Sequence, residues 1–483
     1  MFSAKKVTQE FLSVVPSSVD YAVIRVHDDS SEEIVLNRGH VHPRPYWLSQ
    51  GAYIEVRQGR GMAYVCIADL SKFSLEKAVL SAQNLAQANA ENFLFDYALQ
   101  DKMTAQGEYS SPVKQNWSEW TLKQKIDHLK KLDDILSKDS NVVNRSLFMW
   151  RKTSDRLMVS TEGAEIRQSF DRILPEMSVT LKKGSVVATR GFGRYGNTRQ
   201  GGLEIIEEIG FNEQAAQRIL DEANKLVVAE TCPSKTCDVL IDPNQMMLQI
   251  HESIGHPLEL DRILGDERNY AGTSFVTPEM FGSFQYGSDL LNVTFDPTIS
   301  GQTASYEFDD DGQRAQKEYL IKDGVLQRGL GAQLSQKRSG LKGVANSRSV
   351  SWNRPTMDRM SNINLEAGSS SMQDMVSQVE DGIFVKTNTS WSIDDSRNKF
   401  QFGCEWAEEI KNGQLTGKVF RDSGYRGISQ DFWRNLKAVG NQSTVEVLGT
   451  PTCGKGEPNQ AIFVGHSTPT CLFSDIEVFG GKA

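Results

Sequence analysis

The segment H-E-S-I-G-H, which runs from His251 to His256, contains residue types that can bind and use a metal ion. Neutral imidazole is a common zinc ligand, and catalytic zinc sites combine three protein ligands with one open position. The carboxylate of Glu252 would take a proton from water and later pass it to a leaving amine. The segment therefore predicts a metal-dependent hydrolase, with His251 and His256 as ligands and Glu252 as the base.

The spacing of the two histidines requires a distortion of the helix that carries them. Residues five apart in an α-helix differ by about 140° around its axis, whereas the four-residue step of H-E-x-x-H leaves about 40°. Gly255 relaxes the backbone, and Pro257 disfavours α geometry at the residue before it. We therefore expect the helix to end or bulge there, which would turn His256 towards His251.

A third ligand has to come from another part of the chain. A thiolate, a carboxylate or a further imidazole would each serve. A thiolate beside two imidazoles would favour zinc over magnesium or calcium. On chemistry alone, the open candidates are Cys453, Cys404, Glu259, Asp261 and His466.

Competing interpretations of these and other motifs are simpler. The histidines could be ordinary helix-end residues, with His256 complementing the helix dipole. No G-x-S-x-G or phosphate-binding loop signature is present in the sequence. The D-D-D-G run at 309–312 lacks the calcium-loop pattern and indicates a solvated turn. Cys232 and Cys237 lack the second cysteine pair of a zinc finger.

A strand followed by a helix is expected to position the H-E-S-I-G-H segment. Residues 239–241 predict a buried strand, and Asp242 and Pro243 have the types found at a helix N-cap and first position. The apolar side of this helix should face the core, through Met246, Met247, Ile250 and Ile254.

The pattern along the chain predicts an α+β fold in two domains. A chain of 483 residues is longer than a single hydrophobic core usually accommodates. Residues 1–230 alternate period-2 strands with two long helices, near 74–95 and 117–139, and form the predicted N-terminal α/β domain. Residues 231–483 contain short strands between turn residues, which indicates a β-rich C-terminal domain that carries the metal-binding helix.

Composition excludes several classes of partner. The formal charge of −9, with no block of basic residues, argues against nucleic acid. No apolar run reaches the roughly 20 residues needed to cross a membrane. The N-terminal segment lacks a signal-peptide core, and the six cysteines are scattered, so we expect a cytoplasmic protein.

Beyond these local patterns, an ordered series of segments resembles the TldD/PmbA family of modulators and peptidases, in its metal-bearing TldD branch. The series includes GAYIEVRQGRGMAYVCIADLS, HESIGH, FDDDG, EYLIKDGVL, RPTMDRMSNINLEAG and TCGKGEPNQAIFVGHSTPTCLF. The family's H-E-x-x-x-H falls on His251, Glu252 and His256. Its C-G-K segment falls on Cys453, which the resemblance selects as the third zinc ligand, leaving Cys404 in the core and His466 in a strand.

The resemblance implies a zinc metallopeptidase that hydrolyses small or unfolded peptides. It also implies a dimer, either of identical chains or with a TldE/PmbA-like subunit that lacks the motif. The alternative is a noncatalytic peptide-binding or regulatory subunit of such an assembly. Arg348 and Arg359 lie in family-like blocks, where they would hold a substrate carboxylate or the partner, or else form structural ion pairs. The sequence C-G-K-G-E-P-N-Q predicts a longer loop after Cys453 than the family's C-G-K-x-G-Q.

Overall fold

A sheet of long strands dominates the first half of the chain. The computed structural model describes residues 3–42, 44–92, 95–194 and 196–481. Three strands, Tyr21–Asn37, Val142–Ser160 and Glu165–Lys183, lie side by side and pair antiparallel over most of their length. The other strands of this nine-stranded sheet are His40–His42, Trp47–Gln58, Gly61–Ile67, Gln106–Ser110, Val186–Phe192 and Arg199–Gln200.

Both long helices predicted for this half are present, as Lys72–Asn89 and Leu122–Leu136. The first begins earlier than the sequence indicates, because Ser71 is the N-cap and its side chain accepts a hydrogen bond from the Ser74 N–H. The end predicted for this helix includes residues 93–94, which lie outside the described residues. The further helices of this half are Ala4–Val14, Glu204–Glu208 and Glu213–Leu226.

A second sheet, of eight strands, organises the rest of the chain. Its strand Lys235–Ile241 lies between Asp381–Ile393, which runs parallel to it, and Cys471–Gly480, which runs antiparallel. Val239 and Ile241 are fully buried, as the apolar pattern predicts. The remaining strands of this sheet are Glu230–Thr231, Lys399–Lys411, Gln414–Arg421, Ser423–Ile428 and Leu436–Val439.

Smaller elements complete the C-terminal half. A four-stranded sheet and two two-stranded ribbons comprise Val293–Phe295, Glu318–Lys322, Val325–Leu326 and Ile363–Leu365, then Ser347–Arg348 with Met357–Asp358, and Glu446–Lys455 with Gln460–Thr468. The α-helices of this half are Pro243–Ile250, Leu260–Ile263, Gln333–Ser339, Met372–Ser377 and Ser429–Arg434.

The fold is therefore of the predicted mixed class, with strands and long helices in the N-terminal half and a β-rich C-terminal half. The domain division into 1–230 and 231–483 stays a prediction. Contacts cross it, including the Trp352 indole, which donates to Ser49 Oγ and would lie within 2.3 Å of any Cβ at Gly51. Across the described parts of the chain, no helix is long and apolar enough to cross a membrane.

Candidate active site

The helix that leads into the H-E-S-I-G-H segment forms as its sequence predicts. The Asp242 side chain caps it by accepting a hydrogen bond from the Asn244 N–H at 3.1 Å, and Pro243 occupies the first turn, where a missing N–H breaks no helical bond. The predicted apolar side is buried, with Met246, Met247, Ile250 and Ile254 all inside the core.

Immediately after Ile250 the helix widens into a π-helical turn, His251–Gly255, in which the His256 N–H donates to the His251 carbonyl. An i→i+5 hydrogen bond places residues five apart above one another on the same side of the helix. The two imidazole rings consequently lie with their centroids 4.8 Å apart. The bulge predicted from the spacing is confirmed.

The prediction that Gly255 permits the bulge by relaxing the backbone was wrong. This residue has ordinary helical dihedral angles, φ −56° and ψ −64°, so no special backbone freedom is needed. Space is the constraint instead, because a Cβ at Gly255 would lie 2.0 Å from Sδ of the fully buried Met360. Only glycine lets the turn pass this close to its neighbour.

The role expected for Pro257 is also different. His256 keeps helical dihedral angles, φ −62° and ψ −41°, so Pro257 does not force it out of the α region. Proline instead removes an N–H donor. The Ser253 carbonyl, which an α-helical residue at 257 would bond, accepts from the Tyr286 hydroxyl. The wider turn thus leaves this buried carbonyl satisfied.

Cys453 approaches the histidines from a separate ribbon. It lies within the strand Glu446–Lys455, just after an irregularity in the pairing with Gln460–Thr468. Its Sγ is 3.8 Å from Nε2 of His256. One ligand atom from each of His251, His256 and Cys453 lies within 4.8 Å of the others, and all three residues are buried. These three residues could hold a metal ion.

Hydrogen bonds fix which nitrogen of His251 faces the cluster. His466 Nδ1 lies 2.8 Å from the Ile363 carbonyl, which can only accept, so Nδ1 carries the proton and Nε2 is an acceptor. His251 Nδ1, 3.0 Å from that Nε2, must then donate. Burial lowers the pKa of both imidazoles, which keeps them neutral. The lone pair of His251 therefore lies on Nε2.

The Glu259 carboxylate fixes the tautomer of His256 in the same way. Nδ1 of His256 lies 3.0 Å from Oε2 of Glu259 and donates to it, which leaves the Nε2 lone pair directed at Cys453. Burial would raise the pKa of Glu259, but Lys455, His256 and Arg262 outweigh burial and hold its pKa well below the ordinary value. Partners of this kind are what orient imidazole ligands in metal sites.

A buried ammonium fastens the Cys453 ribbon to the helical segment. Nζ of Lys455 lies 2.6 and 2.8 Å from the two carboxylate oxygens of Asp261, and it donates to the Asp358 carbonyl at 2.6 Å. Burial would lower the pKa of Lys455, but Asp261 and Glu259 outweigh it and raise the pKa above its usual value. Lys455 is therefore charged, and the ribbon cannot move without breaking this pair.

The Cys453 thiol differs electrostatically from the other cysteines. Burial raises its pKa, but Arg359 and His256 more than compensate, so the pKa lies below the ordinary value. Burial raises the pKa of each of the other five thiols, at Cys66, Cys232, Cys237, Cys404 and Cys471. The thiolate form that binds metals is thus favoured at Cys453.

The two arginines considered for substrate binding contact the backbone. Arg359 is fully buried, and it donates to the carbonyls of Cys453 and Gln460. Arg348 donates to the carbonyls of Met360 and Phe463, at 2.6 and 2.8 Å. In these contacts both guanidinium groups support the Cys453 ribbon and its surroundings. Their substrate-binding role stays a prediction.

The three clustered residues and Glu252 line a cleft of about 550 Å³. The wall of this cleft also contains the apolar side chains of Met247, Leu248 and Trp391. Past Val385, where the pairing with Lys235–Ile241 ends, residues 386–393 have no strand on that side within the described ranges. A bulge between Asn388 and Ser390 interrupts the regularity of this open edge.

The other candidate ligands lie outside the three-residue cluster. Glu259 and His466 instead form hydrogen bonds with Nδ1 of His256 and of His251, on the side of each ring away from the cluster, while Cys404 lies in the core of the second sheet.

The prediction that the D-D-D-G run forms a solvated turn was wrong, because Asp309 and Asp310 are only 1% and 5% exposed. The Asp309 carboxylate accepts from three backbone N–H groups, those of residues 311, 313 and 347.

Comparison with known proteins identifies relatives along most of the chain. The models for the PmbA/TldA metallopeptidase C-terminal and central domains match residues 234–480 and 115–229. A metalloprotease of Methanocaldococcus jannaschii is 27% identical over 452 residues, 92% of this chain and 94% of that protein. A zinc metalloprotease TldD homolog of Saccharolobus solfataricus is 21% identical over 243 residues, 50% of this chain and 51% of that protein.

One solved structure has the same fold over nearly the whole length. The crystal structure of TldE from Thermococcus kodakarensis matches with a TM-score of 0.75, covering 99% of this chain and 100% of that one. Its sequence identity is 14%, so this likeness concerns the fold.

Replacing Gly255 by alanine is expected to destabilise the protein by about 1–3 kcal/mol, because the new methyl group overlaps the buried Met360 side chain. Urea unfolding would measure the change. Gly427→Ala is the matched control, since a Cβ there meets nothing closer than 3.4 Å. Equal stability of the two variants would contradict the steric argument.

Lys455→Met is expected to lower the free energy of unfolding by about 3–5 kcal/mol, because it leaves the buried Asp261 carboxylate without its cation. The double variant Lys455→Met/Asp261→Asn should recover part of that loss, since the Asp261 charge is removed together with its cation. A double-mutant cycle of denaturant curves measures both. Wild-type stability of the single variant would refute the role of this ion pair.

Proposed function

The chain belongs to the TldD/PmbA family of metallopeptidases, and we propose that it is a zinc-dependent peptidase that hydrolyses small or unfolded peptides. The observation that carries this proposal is the convergence of two imidazole nitrogens and one thiol sulfur within 4.8 Å, beside Glu252 in the wall of a cleft.

The donor set fits zinc better than the other common divalent ions. Neutral imidazole and thiolate are ligands that zinc accepts in tetrahedral sites, whereas magnesium and calcium require oxygen ligands. Three protein ligands leave one position open, as in catalytic sites. His251, His256 and Cys453 would hold the ion, while His466 and Glu259 would keep both rings in the tautomer needed for binding.

Zinc in such a site supplies a Lewis acid that polarises the peptide carbonyl and lowers the pKa of water. Glu252 is the proposed catalytic base, next in sequence to His251 and facing the same cleft. Its carboxylate takes the proton of the attacking water and delivers it to the leaving amine, so the nitrogen departs neutral.

The open edge at 386–393 is the proposed holding site for the peptide backbone. An extended peptide that adds to a strand edge binds through main-chain hydrogen bonds and makes little demand on side chains. Asn388 and Thr389 of this edge line the same cleft as Glu252. The substrates are therefore extended, unfolded segments, because a folded protein offers few free strands.

A dimer is the proposed assembly, either of identical chains or with a TldE/PmbA-like subunit that lacks the metal motif. The likeness to TldE supports this arrangement at the level of the fold. Light scattering of the purified chain, alone and with such a subunit, distinguishes the two. A monomer in both samples would refute the dimer.

Glu252→Gln is expected to retain about one zinc per chain and to lose at least about 100-fold in peptide cleavage, because the ligands remain while the base is gone. Metal analysis and mass spectrometry of an unstructured peptide library measure both. Cys453→Ala should lose zinc and activity, and Cys66→Ala, which alters a thiol outside the cluster, should lose neither.

The same experiment separates the alternative function. Zinc in the wild type and Glu252→Gln without cleavage by either, also in the presence of a TldE-like subunit, would favour a peptide-binding or regulatory subunit. No zinc in the wild type would refute the proposed enzyme.

A further inference from the structure

Arg397 lies in the turn that joins the strands Asp381–Ile393 and Lys399–Lys411. Its φ of +62° is in the left-handed region, which a non-glycine residue adopts only when the surroundings enforce it. Within the turn the Asp394 carboxylate accepts from the N–H groups of Asn398 and Lys399, at 2.7 and 3.0 Å. The Arg397 N–H donates to the Asp394 carbonyl at 2.9 Å. The local hydrogen bonds thus fix this backbone conformation.

Segments on two sides hold the same turn in place. The N–H groups of Thr273 and Phe275 donate to the carbonyls of Asp395 and Ser396, both at 2.7 Å. On another side, Ser429 Oγ donates to the Arg397 carbonyl at 3.1 Å. The backbone of this turn is therefore fixed relative to the cleft.

The fixed turn directs the Arg397 side chain at the proposed base. Nη1 donates to Oε2 of Glu252 at 2.9 Å, and Nη2 donates to the Ala271 carbonyl at 3.0 Å. Two anchors on a rigid planar guanidinium set its orientation, and with it the orientation of the bound carboxylate. The other oxygen of Glu252, Oε1, has no hydrogen-bond partner among the residues that the structure describes.

We infer that Arg397 is a positioning residue for Glu252, an inference that rests on the proposed peptidase function. It binds one carboxylate oxygen and leaves the other for proton transfer, so the base is held in one orientation before substrate arrives. The guanidinium also compensates the charge of a carboxylate that is 6% exposed. Arg397 is outside the His251, His256 and Cys453 cluster, so its loss should leave zinc binding intact.

Arg397→Met tests the inference, because methionine keeps most of the side-chain bulk and the same backbone strain but has no charge or donor. We expect unchanged zinc content, a fall in kcat of about tenfold or more, and a KM within about twofold of wild type. Arg397→Lys, which keeps the charge, should retain more activity than Arg397→Met. Arg426→Met is the matched control, since Arg426 forms an exposed ion pair with Glu477 and should leave kcat unchanged.

A crystal structure of the zinc-loaded Arg397→Met variant gives a readout that does not depend on turnover. We expect Glu252 to occupy more than one rotamer there and a single rotamer in the wild type, with the same arrangement of His251, His256 and Cys453 in both. An unchanged single rotamer, or loss of zinc from the variant, would overturn the inference. If the wild type binds zinc but does not cleave peptides, the proposed function fails, and the rotamer comparison still decides the role of Arg397.

Discussion

The hydrogen bond from the His256 N–H to the His251 carbonyl is the constraint on which the rest of the site depends. A regular α-helix would separate the two imidazoles by about 140° around its axis. This i→i+5 bond brings the two rings onto the same side of the helix, and the surrounding core accommodates it. Glycine at 255 makes room for Met360, and proline at 257 leaves a carbonyl that Tyr286 satisfies.

Around this turn, buried polar contacts join the helical segment to both strands of one ribbon, Glu446–Lys455 and Gln460–Thr468. The strand Gln460–Thr468 contributes His466, which holds the ring of His251. The ribbon that carries Cys453 is fixed by Lys455 and Arg359, one through an ion pair and the other through backbone carbonyls. Buried charges of this kind are stable only when every partner is present. The precision of the cluster therefore depends on groups that contact no ligand themselves.

Local patterns were sufficient for the strand and helix that carry His251 and His256, because capping, apolar periodicity and spacing act over a few residues. They could not select Cys453 from spacing alone, since that contact spans about 200 positions of sequence and only the family resemblance pointed to it. The buried state of Asp309 was missed for the same reason: its donors include the N–H of residue 347. Arg397 had no signal of its own, because its orientation comes from the turn and the segments that hold it.

The open strand edge at 386–393 raises the question of how this protein avoids edge-to-edge aggregation. An unpaired edge is a template for association with the strands of other molecules, and native proteins blunt such edges with bulges or cover them. Here the edge has a bulge after Asn388, and Thr387 has a left-handed φ of +56°. Asn388, Thr389 and Trp391 of this edge also line the cleft that contains Glu252. A neighbouring sheet needs a long regular edge to pair with, which the bulge and the Thr387 conformation interrupt, whereas a single extended peptide needs only the short stretch that lines the cleft, so the irregularity that limits self-association still admits a substrate.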